Sequence, residues 1–113
     1  MVLSGVHLGS WGKDLGKGET LPDLVEFLLT HSRIERVRLS STEPWDLDER
    51  FFALWQDERM CRHLHLPLQS GSAGVLKRMV RRTTPEEFRL LVETARNKIP
   101  GVAITTDIIV GFP

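Results

Sequence analysis

The sequence predicts an α/β fold of parallel β/α units that form part of an open, TIM-like barrel. Four short β-prone runs, Val2 to Leu8, Ile34 to Ser40, His63 to Leu68 and Val102 to Val110, alternate with amphipathic helical patterns. The resulting order, with two helices before the last strand, suits a parallel sheet with right-handed crossovers. Side chains on a strand alternate faces. One face carries Arg38 and Ser40, then His63, His65 and Gln69, then Thr105 and Asp107, with Gly5 and His7 at the matching positions of the first run. Strands covered by helices on both sides would be near-continuously apolar. A polar second face therefore implies an open lumen.

Each helix announces its start. Thr20 caps a helix whose expected apolar face is Leu21, Leu24, Phe27 and Leu28, and the Asp46 to Glu49 spacing predicts a capping box before Leu47, Phe51, Leu54 and Trp55. A short helix over Ala73 to Val80 follows the third strand. The strongest signal is Thr84-Pro85-Glu86-Glu87: threonine caps, proline takes the first helical position and Glu87 closes the box. Phe88, Leu91, Val92, Ala95 and Ile99 recur at helical spacing until Pro100-Gly101 stops the run.

At 113 residues the chain has the size of one small domain. Fifteen basic residues balance fifteen acidic ones, so there is no overall basic excess of the kind a dedicated nucleic-acid binder carries. Any RNA contact must be local. Cys61 is the single cysteine, which excludes an internal disulfide and a Cys-x-x-Cys metal site and suits a reducing cytoplasm. No apolar run reaches the roughly 18 residues of a membrane span. The chain opens directly on the strand-like VLSGVHLG and closes on DIIVGFP, as a segment of something longer would.

Ligands of such folds bind at the carboxyl ends of the strands, where Glu43, Gln69 and Asp107 lie. Asp107 interrupts an otherwise apolar run, and an unpaired buried carboxylate is costly, so it calls for a partner or a ligand. Gln69-Ser70-Gly71-Ser72 reads either as a turn with a helix cap or as a strand-end glutamine with a glycine leaving room for a ligand. Lys77, Arg78, Arg81 and Arg82 form a basic run that is usually a solvated face, although an arginine beside the Thr84 cap could reach a carboxylate. His63 and His65 have the spacing of a zinc pair, or simply line a polar lumen.

The segments VLSGVHLGSWGKDL, RVRLSSTEPWDL, HLHLPLQSGSAGVLKRMVRRTTPEEF and AITTDIIVGFP, in this order, resemble the radical S-adenosylmethionine tRNA methylthiotransferases and cover most of the chain. The SSTEP turn looks most like the branch acting on threonylcarbamoyladenosine; the isopentenyladenosine and ribosomal-protein branches differ there. The resemblance implies a partial radical S-adenosylmethionine barrel with the cofactor across its strand ends. Gly5 and Val6 would lie near its methionine part, and Glu43, Gln69, Arg81 and Asp107 would contact its amino, ribose or carboxylate groups. Arg81, not Arg82, is the implied cofactor arginine.

The same resemblance implies that residues 1–113 are the central part of the catalytic domain. The Cys-x-x-x-Cys-x-x-Cys loop for a [4Fe-4S] cluster, the amino-terminal methylthiotransferase domain, the carboxy-terminal RNA-binding domain and the Gly-Glu after VGFP are expected outside it. For the intact enzyme the resemblance implies that reductive cleavage of S-adenosylmethionine gives a 5′-deoxyadenosyl radical that abstracts hydrogen from carbon 2 of a modified adenosine at tRNA position 37, where sulfur is inserted and methylated. The segment alone is expected to be inactive, cytoplasmic, away from membranes, and prone to self-association through its open sheet edges. The alternatives are a zinc-dependent barrel hydrolase using His63, His65 and Asp107, another radical S-adenosylmethionine enzyme, or a non-catalytic scaffold.

Overall fold

A computed structural model describes residues 1–113. Its elements are β1 Val2–Leu3, α1 Leu21–His31, β2 Arg38–Leu39, α2 Glu49–Ala53, β3 His63–His65, α3 Ala73–Arg78, α4 Pro85–Lys98 and β4 Ala103–Thr105, with 3-10 turns at Leu8–Ser10, Pro44–Asp46 and Leu54–Gln56. No helix is long and apolar enough to cross a membrane. β1 pairs in parallel with β2, and β3 with β4 in the register His63 to Ala103, Leu64 to Ile104 and His65 to Thr105. Single parallel bridges, Val37 to Met60 and Ser41 to His65, join the two pairs. The α/β class and parallel pairing agree with the sequence.

Every strand is shorter than the β-prone run around it, for local reasons. After Leu3 the first run turns at Ser4 to His7, where the Ser10 hydroxyl donates to the His7 carbonyl and starts a 3-10 turn. On the third, Pro67 has no N–H for the ladder. Leu66 N–H reaches the Thr105 carbonyl, Leu68 N–H takes the Thr106 hydroxyl instead of backbone, and Gln69 rejoins by donating to the Asp107 carbonyl. The β3–β4 pairing is thus interrupted and then resumes at a single bridge, Gln69 to Ile108.

The helices bury one side against the sheet. Thr20 caps α1 in a capping box with Asp23, but the buried face is Leu21, Pro22, Val25 and Leu29. The expected face was rotated by about one residue's turn: Phe27 is exposed and stacks on His31 at 4.3 Å. The cap of α2 also differs from expectation. Asp48 accepts from Phe51 N–H at 2.8 Å, whereas Asp46 ends the preceding 3-10 turn because Pro44 fits the first position of that turn. At α4, Thr84, Pro85 and Glu87 form the expected box. Ala95 and Ile99 are buried, and Phe88 and Leu91 pack on the core from its margin.

Val37, Leu39, Leu64 and Leu66 from the strands meet Val25, Phe51, Ala95 and Ile99 from the helices in one core. Phe51 is 1% exposed, and full burial of such a side chain stabilises by about 1.5–3 kcal/mol. All these contacts lie on the apolar strand face. The opposite, polar face and the carboxyl ends of the strands are left available for chemistry.

Candidate functional site at the strand ends

The loop after β2 is held from both sides. Thr42 N–H donates to the His65 carbonyl, which docks the loop on β3. Asp46, with a side chain only 5% exposed, accepts from His7 Nε2 at 2.7 Å and from Lys13 Nζ at 3.3 Å, tying this loop to the one after β1. A Cβ on Gly9 would fall within 2.5 Å of three Asp46 side-chain atoms, so only glycine admits that carboxylate. Between these anchors Glu43 faces inward and Trp45 faces outward, 38% exposed.

Arg81 reaches this loop from the far end of α3. Ser72 caps that helix by accepting from Val75 N–H, and the helix ends in a Schellman motif: Arg81 N–H donates to the Leu76 carbonyl and Val80 N–H to the Lys77 carbonyl. Val80 holds the left-handed conformation that this motif requires, with φ 56°. The turn delivers Arg81 Nη2 to Glu43 Oε2 and to the Pro67 carbonyl, each at 2.8 Å. Arg82, one residue on, is exposed and makes no hydrogen bond or ion pair of its own.

Gln69 completes the rim. Its φ of 74° is unusual for a non-glycine residue and is pinned by backbone bonds to Asp107 and Ile109. Its Oε1, the Thr42 hydroxyl and Arg81 Nε are buried without a partner. Buried polar atoms left unpaired cost about 1–3 kcal/mol each, so the strand-end rim is short of hydrogen-bonding partners where a polar ligand would supply them.

Below the rim, Thr105 gathers the polar face. Its Oγ1 lies 3.1 Å from His63 Nε2 and 2.9 Å from His65 Nδ1, and His65 Nε2 lies 3.1 Å from Asp107 Oδ2. Burial, helped by the Arg38 charge and by His65, lowers the pKa of His63 and favours its neutral form. The zinc arrangement is not formed: His65 meets Asp107, but His63 turns its Nε2 to the threonine, so the three side chains do not converge. No three His, Cys, Asp or Glu side chains share a point suited to a metal ion.

The residues expected at the site divide into groups. Glu43 and Arg81 are paired, and Gln69 stands at the same strand ends. Asp107 is joined to this rim only by its carbonyl; its carboxylate is 64% exposed and turns to His65. Gly5 and Val6 lie apart, in the exposed turn after β1, with Val6 fully exposed. An added Cβ on Gly5 would meet only Leu8 Cα, at 4.0 Å, so the chain's own packing does not demand glycine there. Trp45 gives no signal in the sequence. Asp46 reads there as a helix cap, Val80 as the end of a short helix and Thr105 only as a member of the polar strand face.

Parallel β/α units carry a polar rim at their strand ends, and family comparison gives the class: the radical SAM superfamily model matches residues 11–113, and the chain belongs to that superfamily. Over its whole length it is 46% identical to a tRNA-2-methylthio-N(6)-dimethylallyladenosine synthase from Caldicellulosiruptor saccharolyticus. It is 42% identical to the synthase of the same name from Acetivibrio thermocellus. The chain spans 24% of the length of each of these relatives.

Proposed function

We propose that this chain is a central, cofactor-facing segment of a radical S-adenosylmethionine tRNA methylthiotransferase working in the cytoplasm. The observation that carries the reading is whole-chain identity to relatives named for that product. The parallel strands are read as an arc of an open TIM-like barrel whose lumen is the polar face. On this reading Glu43, Gln69 and Arg81 hold S-adenosylmethionine, with Arg81 Nε as an unused donor and Gln69 Oε1 as an unused acceptor, both buried. Asp107 would join them by leaving His65, and Gly5 and Val6 would approach the methionine end.

When bound and reduced, the cofactor would supply a carbon-centred radical for hydrogen abstraction. The residues here bind and orient; none donates the electron. A [4Fe-4S] cluster is held by several cysteine thiolates, and Cys61 is the single cysteine, so residues 1–113 do not supply the cluster ligands. The adenosine substrate is the finer question. The SSTEP turn favours threonylcarbamoyladenosine, but the relatives are named for dimethylallyladenosine, and identity over 114 aligned residues outweighs a five-residue turn. Dimethylallyladenosine in tRNA is the proposed substrate.

The test is mass spectrometry of nucleosides from tRNA treated with reductant and S-adenosylmethionine. A protein carrying this segment together with three cluster cysteines is expected to yield the 2-methylthio derivative of dimethylallyladenosine; residues 1–113 alone yield none. A methylthio product only on threonylcarbamoyladenosine would move the assignment to that branch, and no methylthio product on any tRNA would end it. Residues 1–113 should also self-associate through exposed Ile109 and Val110 beside edge strand β4. A monomer in sedimentation at high concentration would refute that.

A further inference from the structure

Two cations beside the rim have nothing to neutralise them. Lys77 and Arg82 make no ion pair and no side-chain hydrogen bond, whereas Arg81 is committed to Glu43 and Pro67 and Arg78 to the Pro113 carbonyl. Lys77 and Arg82 line one groove of about 340 Å³ with Arg81, Thr83 and Thr84, and none of its lining residues is a carboxylate. A neutral chain could have placed acids here and did not.

Arg82 is also held. Its guanidinium carbon lies 5.7 Å from the ring centroid of Trp45, and that of Arg81 lies 5.2 Å from the same ring. An exposed tryptophan thus serves as a platform for both arginines, and a cation on an indole is attracted by the ring quadrupole. The arrangement keeps the Arg82 donors unspent while reducing the freedom of a long side chain, which lowers the cost of forming new bonds. Past Trp45 the surface continues into a second groove of about 400 Å³ lined by Pro44, Arg82, Thr83, Leu90 and Leu91. Its one carboxylate, Glu87, accepts through Oε2 from the Thr84 N–H and hydroxyl.

Resting on the tRNA reading above, we propose that Lys77 and Arg82, with Trp45 as the platform for Arg82, form a phosphodiester-binding track that seats the RNA strand leading to the rim. Two cations without ion-pair partners, in a groove that no carboxylate lines, suit a polyanion, and the planar guanidinium suits paired phosphate oxygens. The adjoining apolar groove suits the sugar or base of the same strand. An acidic peptide would meet the same charges but not this groove.

The experiment is fluorescence anisotropy of a labelled RNA stem-loop with residues 1–113 over a series of salt concentrations, with folding of every variant checked by circular dichroism. Each lost cation should make the slope of log affinity against log salt shallower by about 0.7. Arg82→Ala and Lys77→Ala are expected to do so, while Arg36→Ala, at the amino end of β2, is expected to leave the slope unchanged. Trp45→Phe should retain affinity and Trp45→Ser should lose it severalfold. No measurable binding by the parent chain at low salt, equal slopes for Arg82→Ala and Arg36→Ala, or equally tight binding of an oligo-aspartate peptide would each overturn the assignment. RNA binding that depends on Arg82 in a protein making no methylthio product would keep this track and remove the methylthiotransferase reading.

Discussion

Arg81 and Glu43 are bonded across the strand ends, Nη2 to Oε2 at 2.8 Å, with only 17% and 26% of their side chains exposed. The pair joins the end of α3 to the loop after β2, two segments separated by 38 positions. Because the same nitrogen also serves the Pro67 carbonyl, Arg81 is fixed from two strands at once. Its remaining buried donor, Nε, is held in place without a partner.

This geometry sets the first prediction. If Nε meets the cofactor, Arg81→Ala removes a charge-assisted contact of about 1.5–3 kcal/mol, which is about a ten- to hundredfold loss of affinity for S-adenosylmethionine. Arg82→Ala should cost far less, since Arg82 is exposed and makes no bond to the strand-end rim. Calorimetric titration of both variants of a cluster-bearing protein compares them directly. Equal losses would mean that the wrong arginine has been assigned to the cofactor.

Val80 carries the second prediction. A β-branched residue in the left-handed region is a steric outlier, and that region costs roughly 1–2 kcal/mol for an L-residue. Val80 is 86% exposed and gains little burial in return. Val80→Gly should therefore stabilise the chain by about 0.5–1 kcal/mol after the larger unfolded-state entropy of glycine is subtracted. The urea midpoint should rise at constant slope. A lower midpoint would show that the valine side chain has a contact elsewhere.

The sequence was legible where a signal is local. The Thr84 box, the Ser72 cap and the alternation of HLHLPL each depend on a few adjacent residues, and each formed. The helix at Asp46 was misread because Asp46 and Asp48 both have capping chemistry. Only the fold shows that His7 and Lys13, 39 and 33 positions away, take Asp46. Phe27 was misplaced for a related reason: helical periodicity fixes that there is a face but leaves its edges open. Trp45 escaped notice because an exposed tryptophan acquires meaning only from the arginines that fold against it.

The third prediction concerns pH. Asp23 is held well below the ordinary carboxylate range by its hydrogen bonds from Arg50 and Thr20, Asp57 is lowered by Arg59, and Glu87 is lowered by the Thr84 N–H and hydroxyl. Folded values below unfolded ones mean stability that is present above about pH 4 and lost as pH falls through the folded values. His63 behaves alike in a higher window. The unfolded chain protonates it near pH 6.5, about its ordinary value, while the folded chain resists. Stability should then decline from about pH 6.5 downward, with a second decline on the acid side of about pH 4. His63→Gln should remove the first limb and Glu87→Gln should weaken the second. Denaturation midpoints in the parent chain that show no decline below about pH 6.5 until the acid limb begins would contradict the His63 assignment.

The last prediction follows the polar face proton by proton. A carboxylate can only accept, so a neutral His65 paired with Asp107 donates from Nε2 across the 3.1 Å contact, which leaves Nδ1 as an acceptor. The Thr105 hydroxyl then donates to His65 Nδ1, and its oxygen is free to accept from His63 Nε2. Both histidines are thereby fixed as Nε2–H tautomers, and His63 Nδ1 is the bare nitrogen, which is also the buried atom without a partner. Nitrogen-15 shifts of the two rings should show two Nε2–H forms. Thr105→Ser should keep both, whereas Thr105→Val removes the donor to His65 Nδ1 and the acceptor for His63 Nε2, so His63 should lose its preference for Nε2–H. An Nδ1–H form of either ring in the parent chain, or an unchanged His63 tautomer in Thr105→Val, would show that the threonine does not fix the two rings.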